Sequence, residues 1–557
     1  MAGEALAALD AILADGEDAA PIHLARGCAL RDLRRHPEAV LAFDAAIAAD
    51  PTSVPAHLNR ASALSDLGRD AEALTEALIA EAIRPDHPPA LVAQGVFLRL
   101  LGQPGEALRP LERVLAAVPD HAVARLTKAA CLSDLGRQAE AMAIADGLLG
   151  EDAERHRAII LHRMGRHVEA AAAMPCPTKA EGWNVRARAL TELGRLEEAL
   201  ECLDRLGAEA GGNPNLPYNR GIALRGLNRH GEAIAAFAEA RRLDPAFAEA
   251  EWNESLSRLA LGDFAAGLPA YEARWRRRNH PGPRHAAAPV WRGEDLAGRT
   301  LLLHAEQGLG DTIQMVRYVP LAAARGARVV VEVQRPLLPL LRDLPGAAQV
   351  IATGDPVPPH DVQCPIMSLP LAFGTRRDTI PAAIPYVAAD PARVAAWDRE
   401  LPRGPLRLGL VCSGNPDHAA DRERSVPLAA FAPLLGPGVA AFLVQTDLRE
   451  ADADVLAAEG RITPLRERLT SFTETAAVLS ALDLVVAVDT SVAHLAGALG
   501  RPVHLLLPHL ADWRWMLDRA DSPWYPTMRL HRRGRGEGWG DVIARVAAEV
   551  LPARLAA

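Results

Sequence analysis

The chain of 557 residues has little lysine, few aromatic residues and no long apolar run. Lysine occurs only at Lys128 and Lys179, so a phosphate clamp or cationic catalyst in the second half must use arginine, histidine or backbone N–H groups. The six cysteines are scattered without a C-x-x-C pair, which gives neither a zinc-finger spacing nor a disulfide framework. No 18 consecutive apolar residues occur, so the sequence predicts no transmembrane segment.

Charge limits the function classes further. The net charge is −9 and the isoelectric point is about 6.1. This argues against bulk binding to nucleic acid or to an anionic membrane, because both need a basic face. The stretch 1–20 carries acids inside its apolar part and lacks a basic start, so it is not typical of a signal peptide. We therefore expect a cytoplasmic protein without nucleic-acid partners.

The first half contains an internal repeat. A turn of the type Leu-Gly-Arg, followed by Glu-Ala, recurs with steps of 34, 34, 29, 29, 34 and 34 residues. The glycine-type positions of this turn are Gly68, Gly102, Gly136, Gly165, Gly194, Asn228 and Gly262. Glycine suits the left-handed turn between two helices. A second marker with the same step ends each hairpin, at Pro51, Pro85 and Pro119.

The 34-residue period resembles that of the tetratricopeptide repeat. It predicts an all-α TPR solenoid of about eight helical hairpins over 1–275. The two shortened steps predict a distortion of the superhelix around 145–200. Such solenoids present a concave groove, which favours a protein or peptide partner; a passive spacer or a dimerisation arm is the alternative. No repeated asparagine or basic ladder stands out at one position, so the groove's specificity is not predicted.

The second half is predicted to be α/β. Residues 276–299 are basic, rich in proline and aperiodic, which is typical of a linker, and we expect their arginines to form a solvated hinge. Beyond it, strands are predicted at 300–305, 327–334, 406–414, 441–446, 483–491 and 502–508. This order favours two Rossmann-like lobes, 300–395 and 396–557, the second ending in a closing helix. A ligand cleft is expected at the carboxyl ends of the strands.

Two strand-to-helix junctions are candidate ligand sites. The turn at Gly308 and Gly310 has Ile313 where the dinucleotide fingerprint needs a third glycine, although Glu332 lies about 20 residues on. A nicotinamide oxidoreductase therefore stays open, whereas a P-loop is excluded because no G-K-[ST] is present. The second junction, 488–497, places an acid and two hydroxyls before a helix, and helix N-termini suit a diphosphate. Ordinary N-capping, with the histidine of this segment packed in the core, is the alternative.

Four segments resemble a known family: HAEQGLGDTIQMVRYVPLA, CSGNPDH with DRERSVPL, VDTSVAHLAGALGRPVHLLLP, and DWRWMLDR with SPWYPTMRL. They look like bacterial tetratricopeptide-repeat glycosyltransferases, whose catalytic halves resemble the heptosyltransferase family of two-lobed GT-B enzymes. The likeness spans most of 290–545. The layout is also similar to that of protein O-GlcNAc transferases and flagellin glycosyltransferases.

The resemblance implies roles for individual residues. It makes Asp311 the general base and assigns the donor's sugar and diphosphate to Asp489, Thr490, Ser491 and His494. The family's lysine aligns with Arg424, which keeps the charge and adds a fork that can hold phosphate. Further donor-binding candidates are Gly308, Gly310, Ser413 and Asn415. Gln445 and Thr446, after the second strand of the second lobe, are candidates for binding the nucleoside. The lipopolysaccharide acceptor of heptosyltransferases is not carried over, because those enzymes lack the repeats.

The chemistry expected is transfer from a nucleotide sugar with inversion, without a metal or another cofactor. Asp452 and Asp454 form a D-A-D motif, but in a polar helical segment that favours solvated surface. Trp513, Trp515, Trp524 and Tyr525 are predicted to be a packing cluster, supported by Arg514 and Arg519, or alternatively a surface for stacking on sugar or base. Helix capping is the plain alternative for the role of the predicted base. A non-catalytic adaptor and a transferase acting on a lipid-linked saccharide are the competing functions.

Overall fold

A computed structural model of the chain describes residues 2–16, 18–206, 212–278, 280–402, 406–417 and 421–555. It forms two compact units, Met1–Gly211 and Gly212–Ala557. The described residues include no helix that is both long and apolar enough to cross a bilayer.

The first unit is a series of helical hairpins. Its helices are α1 Ala2–Ala14, α2 Ala20–Asp32, α3 His36–Ala49, α4 Val54–Asp66, α5 Asp70–Ile83, α6 Pro88–Leu100, α7 Pro104–Ala117, α8 Ala122–Asp134, α9 Gln138–Asp146, α10 Glu151–Arg163, α11 His167–Ala172, α12 Ala180–Glu192 and α13 Leu196–Asp204. The predicted irregularity is present as three short second helices, α9, α11 and α13, of nine, six and nine residues. The other second helices of this unit, α3, α5 and α7, have 14 residues.

Glycine serves two purposes in these hairpins. At the turns it supplies a left-handed backbone, as at Gly68 with φ +75°. Inside the first helix it allows close packing: a Cβ at Gly27 would lie 2.4 Å from the ring of Phe43, and one at Gly95 would lie 2.7 Å from Leu111. The two helices of a hairpin therefore approach more closely than any larger side chain would permit.

In most hairpins a cation recurs at the same place in the repeat, eight residues before the turn between the two helices. The expectation that no basic ladder is present was wrong. Three of these cations bind an acid of the preceding helix: Arg26 Nε donates to Asp10, Arg60 Nε to Asp44, and Lys128 Nζ to Glu112, at 2.6, 2.6 and 3.0 Å. Arg157 and Arg186 bind backbone carbonyl groups instead. These cations connect consecutive hairpins. Partly exposed pairs of this kind each contribute up to about 1 kcal/mol.

The second unit begins with two further hairpins and continues into two parallel sheets. Its helices are α14 Asn215–Gly226, α15 His230–Leu243, α16 Ala248–Ala260, α17 Phe264–Tyr271, α18 Leu309–Met315, α19 Val319–Ala324, α20 Leu338–Leu341, α21 Leu369–Ala372, α22 Pro391–Glu400, α23 Asp421–Arg424, α24 Glu450–Glu459, α25 Phe472–Ala481, α26 Ser491–Ala498 and α27 Trp539–Leu555. The predicted order, a helical repeat region and then an α/β region, is confirmed.

Ten strands are described. They are β1 Thr300–His304, β2 Arg328–Val333, β3 Ala347–Ala352, β4 Val362–Pro365, β5 Leu406–Val411, β6 Val439–Leu443, β7 Ile462–Pro464, β8 Leu484–Val488, β9 Val503–Leu507 and β10 Met528–Arg532. The first sheet has the order β3-β2-β1-β4 and the second β10-β9-β8-β5-β6-β7, with parallel pairing throughout the described strands. The central strands are buried on both faces, as their continuous apolar runs predict.

The sequence missed β3, β4, β7 and β10. β3 is largely exposed over its first half, so it lacks a long apolar run. β4 and β7 have only four and three residues and each ends on a proline. β10 lies at the edge of its sheet and alternates apolar with basic residues. Short or edge strands give little periodic signal, because few of their residues face a core.

The linker is bound rather than hinged, so the expectation of a solvated hinge was wrong. Just before it, buried Arg274 donates to Glu306 at 3.0 Å. Within it, Arg284 Nη1 and His285 Nε2 each lie 2.7 Å from the carboxylate of Glu332. Both acids are buried beside β1 and β2 and need counter-charges, which the basic segment supplies. The carboxylate of Glu332 therefore binds the linker and is not available to hydrogen-bond the ribose of a dinucleotide.

We expect Glu332→Gln to release the linker, because Arg284 and His285 lose their shared carboxylate. Removing one partner of a buried pair costs several kcal/mol, and about 2 kcal/mol is expected here since Arg284 is 40 % exposed. Limited trypsin cleavage within 276–299 should become faster in the full-length protein. Glu38→Gln, which breaks an exposed pair with Arg35, is the control and should leave that rate unchanged. Equal cleavage of Glu332→Gln and wild type would contradict this role.

Candidate functional site

The second unit contains a cavity of about 960 Å³. It is lined by the loops that follow β1, β2, β5, β6, β8 and β9, together with α14–α16. The carboxyl ends of strands from both sheets thus contribute to one cleft, which is where parallel α/β sheets bind ligands. The predicted residues among its lining are Gly308, Gly310, Asp311, Ser413, Asn415, Arg424, Gln445, Thr446, Asp489, Thr490, Ser491 and His494.

The glycine-rich turn after β1 positions Asp311. One carboxylate oxygen accepts the N–H of Gly308 at 2.7 Å, which caps α18. The other accepts Arg514 Nη2 at 2.5 Å. Gly310 is required for a close approach, since a Cβ there would lie 2.8 Å from the ring of His494. The turn therefore brings the candidate base against α26 of the other sheet.

Arg514 is held rigidly behind this carboxylate. Its Nη1 binds Asp512 at 2.8 Å and its Nε donates to Gln314 at 2.7 Å. Burial alone would lower the pKa of this guanidinium, but the carboxylates of Asp512 and Asp311 outweigh burial and raise the pKa above its ordinary value. The side chain stays charged and links the loop after β9 to the loop after β1. Sequence reasoning placed Arg514 with the aromatic cluster and missed this role.

Asp489 and His494 form a second buried pair. Trp515 Nε1 donates to Asp489 at 2.8 Å, and His494 Nε2 lies 3.6 Å from its other oxygen. The second ring nitrogen of His494 lies 2.9 Å from the hydroxyl of Tyr525. Burial raises the pKa of Asp489, but the contacts with His494 and Trp515 and the charge of Arg514 lower it overall. The carboxylate is therefore ionised and holds His494 in a fixed orientation.

Arg424 supplies a cation beside the start of α26. Its Nη1 donates to the carbonyl of Asp489 at 2.9 Å, and its Nε to Asp421 at 3.3 Å. A Cβ at Gly414 would lie 2.5 Å from this guanidinium, so a larger residue there would displace the Arg424 side chain. Thr490 occupies the N-cap position but makes no capping bond, and its buried hydroxyl has no partner among the described residues. The capping alternative for Thr490 is therefore wrong.

Gln445 is used by the fold itself. Its carbonyl oxygen accepts the N–H groups of Cys412 and Ser413 at 2.8 and 3.4 Å. Its amide donates to the Ser413 hydroxyl at 3.1 Å and to the Asp447 carbonyl at 2.8 Å. Gln445 thus fixes the loops after β5 and β6. Thr446 and Asn415 lie beside it in the cavity lining.

The aromatic cluster and Asp452 of the D-A-D motif are both buried, although only the first was expected to be. Trp515, Trp524 and Tyr525 are fully buried, so the packing interpretation of the aromatic cluster is confirmed, and Trp513 lines the cavity. Asp452 was expected at a solvated surface, and that was wrong: it is buried and accepts the N–H of Leu428 at 2.8 Å. Its carboxylate satisfies a backbone donor that water cannot reach.

The described residues hold one cluster with metal-ligand geometry: His504, His531 and Glu549, whose ligand atoms lie within 4.8 Å of one another. None of the three lines the cavity. The expectation that the reaction needs no metal stays a prediction.

Helices of the repeat also line the cavity, and sequence reasoning missed this. Arg225, His230, Leu256 and Ala260 come from α14, α15 and α16. The available signal was Asn228, which replaces glycine in the repeated turn. Asn228 keeps the left-handed backbone, with φ +58°, and its amide donates to the carbonyl of His509 in the loop after β9 at 2.8 Å. Glycine could not make that bond.

Comparisons with known proteins agree with this arrangement. Residues 442–506 match glycosyltransferase family 9 (heptosyltransferase). Residues 98–164, and separately 2–54, 24–88 and 218–283, match tetratricopeptide repeats. Protein FlbA of Caulobacter vibrioides is 28% identical over 450 residues, which cover 67% of this chain and 72% of that protein.

Solved structures resemble the chain only weakly. A tetratricopeptide repeat protein from Parabacteroides merdae is 18% identical with a TM-score of 0.32, over 46% of this chain and 92% of that one. The APC/C hetero-tetramer Cut9-Hcn1 is 15% identical with a TM-score of 0.39, over 49% of this chain and 56% of that one. The chain combines tetratricopeptide repeats with a segment of glycosyltransferase family 9, and this combination supports a glycosyltransferase.

Proposed function

We propose that this protein is an inverting, metal-independent glycosyltransferase of the GT-B type, which moves a sugar from a nucleotide-sugar donor to a hydroxyl group of a polypeptide. One observation carries the proposal. A single cleft brings the carboxylate of Asp311, from the first sheet, against Arg424 and the start of α26, from the second. A base and an anion-binding surface thus face each other across a space large enough for a nucleotide sugar.

The donor binds on the side of the second sheet. Its diphosphate contacts Arg424, the free N–H groups at the start of α26 and the unpartnered hydroxyl of Thr490. Asp489 is already bonded to Trp515 and lies beside His494, so it acts by orienting His494. The N–H groups and the guanidinium stabilise the charge that develops on the leaving diphosphate.

Asp311 is the base on the opposite side. Each oxygen has one donor, Gly308 or Arg514, and keeps a further lone pair for the acceptor's proton. The acceptor oxygen forms a bond to the anomeric carbon while the bond from that carbon to the diphosphate breaks. The proton passes to Asp311, and the electron pair leaves with the nucleoside diphosphate. Attack opposite the leaving group inverts the anomeric configuration.

The repeats give the acceptor its class. Hairpins of the first unit form the extended surface that solenoids use to bind polypeptides. The last hairpins, α14–α17, belong to the same compact unit as the cleft, and Tyr271 contacts Gln307 in the loop after β1 at 3.0 Å. The repeats therefore favour a bound polypeptide as the acceptor. The protein is expected to act in the cytoplasm.

We expect Arg424→Gln to weaken donor binding by about 10- to 100-fold, since charge-assisted hydrogen bonds contribute about 1.5–3 kcal/mol. A thermal-shift panel of nucleotide sugars identifies the donor, and calorimetry then gives its Kd. Arg449→Gln is the matched control, because Arg449 also binds Asp421 but does not line the cavity; its Kd should stay within about twofold. Stabilisation by none of the donors would favour the adaptor function.

We expect Asp311→Asn to fold normally and to lose transfer by about 100-fold or more, because asparagine still caps α18 but cannot accept a proton. Initial rates of sugar transfer and the donor's Kd are measured together, and the Kd should change little. Asp512→Asn is the control, since it removes the other carboxylate bound to Arg514. It should retain at least about a tenth of the activity. Full activity of Asp311→Asn would overturn the base assignment.

The acceptor class is tested by removing the first unit alone. A protein of residues 212–557 keeps α14–α17, which line the cleft, and is expected to bind the donor and to hydrolyse it slowly. Glycosylation of a protein acceptor should fall to background, because the polypeptide is no longer held. Intact-mass spectrometry of acceptor proteins measures this. Undiminished protein glycosylation, or efficient transfer to a lipid-linked saccharide, would contradict the role given to the repeats.

A further inference from the structure

Two side chains face each other at the closed end of each repeat hairpin, and they differ in the hairpin beside the cleft. One lies three residues before the turn position, and the other two residues after it. In α4–α5 they bond to each other, with Ser65 Oγ donating to Asp70 at 2.6 Å. In α8–α9, Ser133 Oγ lies 2.9 Å from Gln138. In these two hairpins the two side chains therefore satisfy each other's hydrogen bonding.

In two other hairpins that carry a cation or a histidine at one of these positions, the next hairpin supplies an acid. Arg99 of α6 binds Asp134 at 2.6 Å, and His36 of α3 lies 3.3 Å from Asp66. Both aspartates stand two residues before the turn of the following hairpin. In these two hairpins an acid of the next hairpin therefore contacts the cation or the histidine.

The hairpin α14–α15 lacks that acid. It carries Arg225 and His230 at the two positions, and the acid position of the next hairpin is Ala260. Arg225 makes no side-chain hydrogen bond or ion pair with any described residue, and its Nε is buried. His230 is buried, with Nδ1 unpartnered among the described residues. Both side chains and Ala260 line the cavity.

The surroundings do not neutralise this pair. Tyr218 and Asp512 are the groups whose charge acts to raise the pKa of Arg225, and Asp512 already binds Arg514 at 2.8 Å. Burial lowers the pKa of Arg225 below its ordinary value. Burial, and then the charge of Arg225, lower the pKa of His230 to about 4, so the ring is neutral.

The tautomer of His230 follows from its one contact. Its Nε2 lies 3.3 Å from the side-chain oxygen of Asn228, which can only accept. The proton is therefore on Nε2, and the buried Nδ1, unpartnered among the described residues, is left as an acceptor in a residue that lines the cavity. Arg225 therefore supplies a cation that can bind an oxyanion, and His230 beside it supplies an acceptor for a hydroxyl group.

We propose that Arg225 and His230 form an oxyanion-binding subsite on the helical wall of the cavity, separate from the cation at Arg424. The group bound is a carboxylate or a phosphate of the substrate, with a neighbouring hydroxyl. This subsite extends the proposed function, since it assigns a chemical group that the donor or the acceptor must carry. Because the repeat itself supplies it, the last hairpins are part of the binding site as well as a support for it.

Calorimetric titration of the full-length protein with three probes tests the subsite without a transfer reaction. Inorganic pyrophosphate represents a phosphate source, D-glucuronate a hydroxylated carboxylate, and D-glucose its neutral match. Arg225→Gln removes the cation. Ala260→Asp restores the acid that other hairpins place here, and so neutralises Arg225 without altering it. Either substitution should weaken binding of D-glucuronate or pyrophosphate by about 10-fold or more, whereas Ala260→Asn should not.

The arms separate the possible sources. If Ala260→Asp loses D-glucuronate binding and only Arg424→Gln loses pyrophosphate binding, the group bound is a carboxylate on the sugar or acceptor. Loss of pyrophosphate binding in Ala260→Asp identifies a phosphate. Arg99→Gln, at the same repeat position but paired with Asp134, is the control and should change neither. Equal affinities in wild type and Ala260→Asp, or binding of no anion by wild type, would overturn the proposal. Full activity of Asp311→Asn would overturn the base assignment but not this subsite, because the titrations involve no transfer.

Discussion

The ion pair between Arg514 and Asp311 connects the two sheets of the second unit at the point where their loops meet. Its carboxylate comes from the turn after β1 and its guanidinium from the loop after β9. Asp512 and Gln314 hold the same guanidinium, Gln314 from α18 and Asp512 from the loop after β9. That loop is bonded through His509 to Asn228 of the helical repeat. The position of the candidate base therefore depends on residues from three parts of the unit.

The hairpins α14–α17 are integral to the α/β unit. Leu259, Phe264 and Tyr271 share one apolar core with the strands and with Trp513 and Trp524. Phe264 lies 6.2 Å from both tryptophan rings, measured between ring centroids. Burying aromatic surface of this size is worth several kcal/mol, so the last hairpins and the sheets fold as one body. The solenoid thereby ends inside the wall of the cleft, where its side chains can contact a substrate.

Buried acids beside the sheets have partners, whereas two polar groups in the cavity wall have none among the described residues. Glu306 and Glu332 are neutralised by arginines in and before the linker, and Asp489 by its hydrogen bonds and by Arg514. Arg225 and the hydroxyl of Thr490 are left without partners, and both line the cleft. Unpaired polar groups cost free energy, so two of them in the wall of one cleft favour a ligand at that place.

The sequence by itself determined the repeat, because a turn glycine and a helix-ending proline recur at a fixed step, and it determined the long central strands, because they are apolar on both faces. It also marked Asp311, Arg424 and Asp489 through local motifs. It could not predict β4 or β7, which are too short for a periodic signal, nor the burial of Asp452. Only the tertiary structure decided that Arg514 pairs with Asp311 and that Arg225 reaches the cavity, because both depend on contacts between segments that are far apart in the chain and have no common motif.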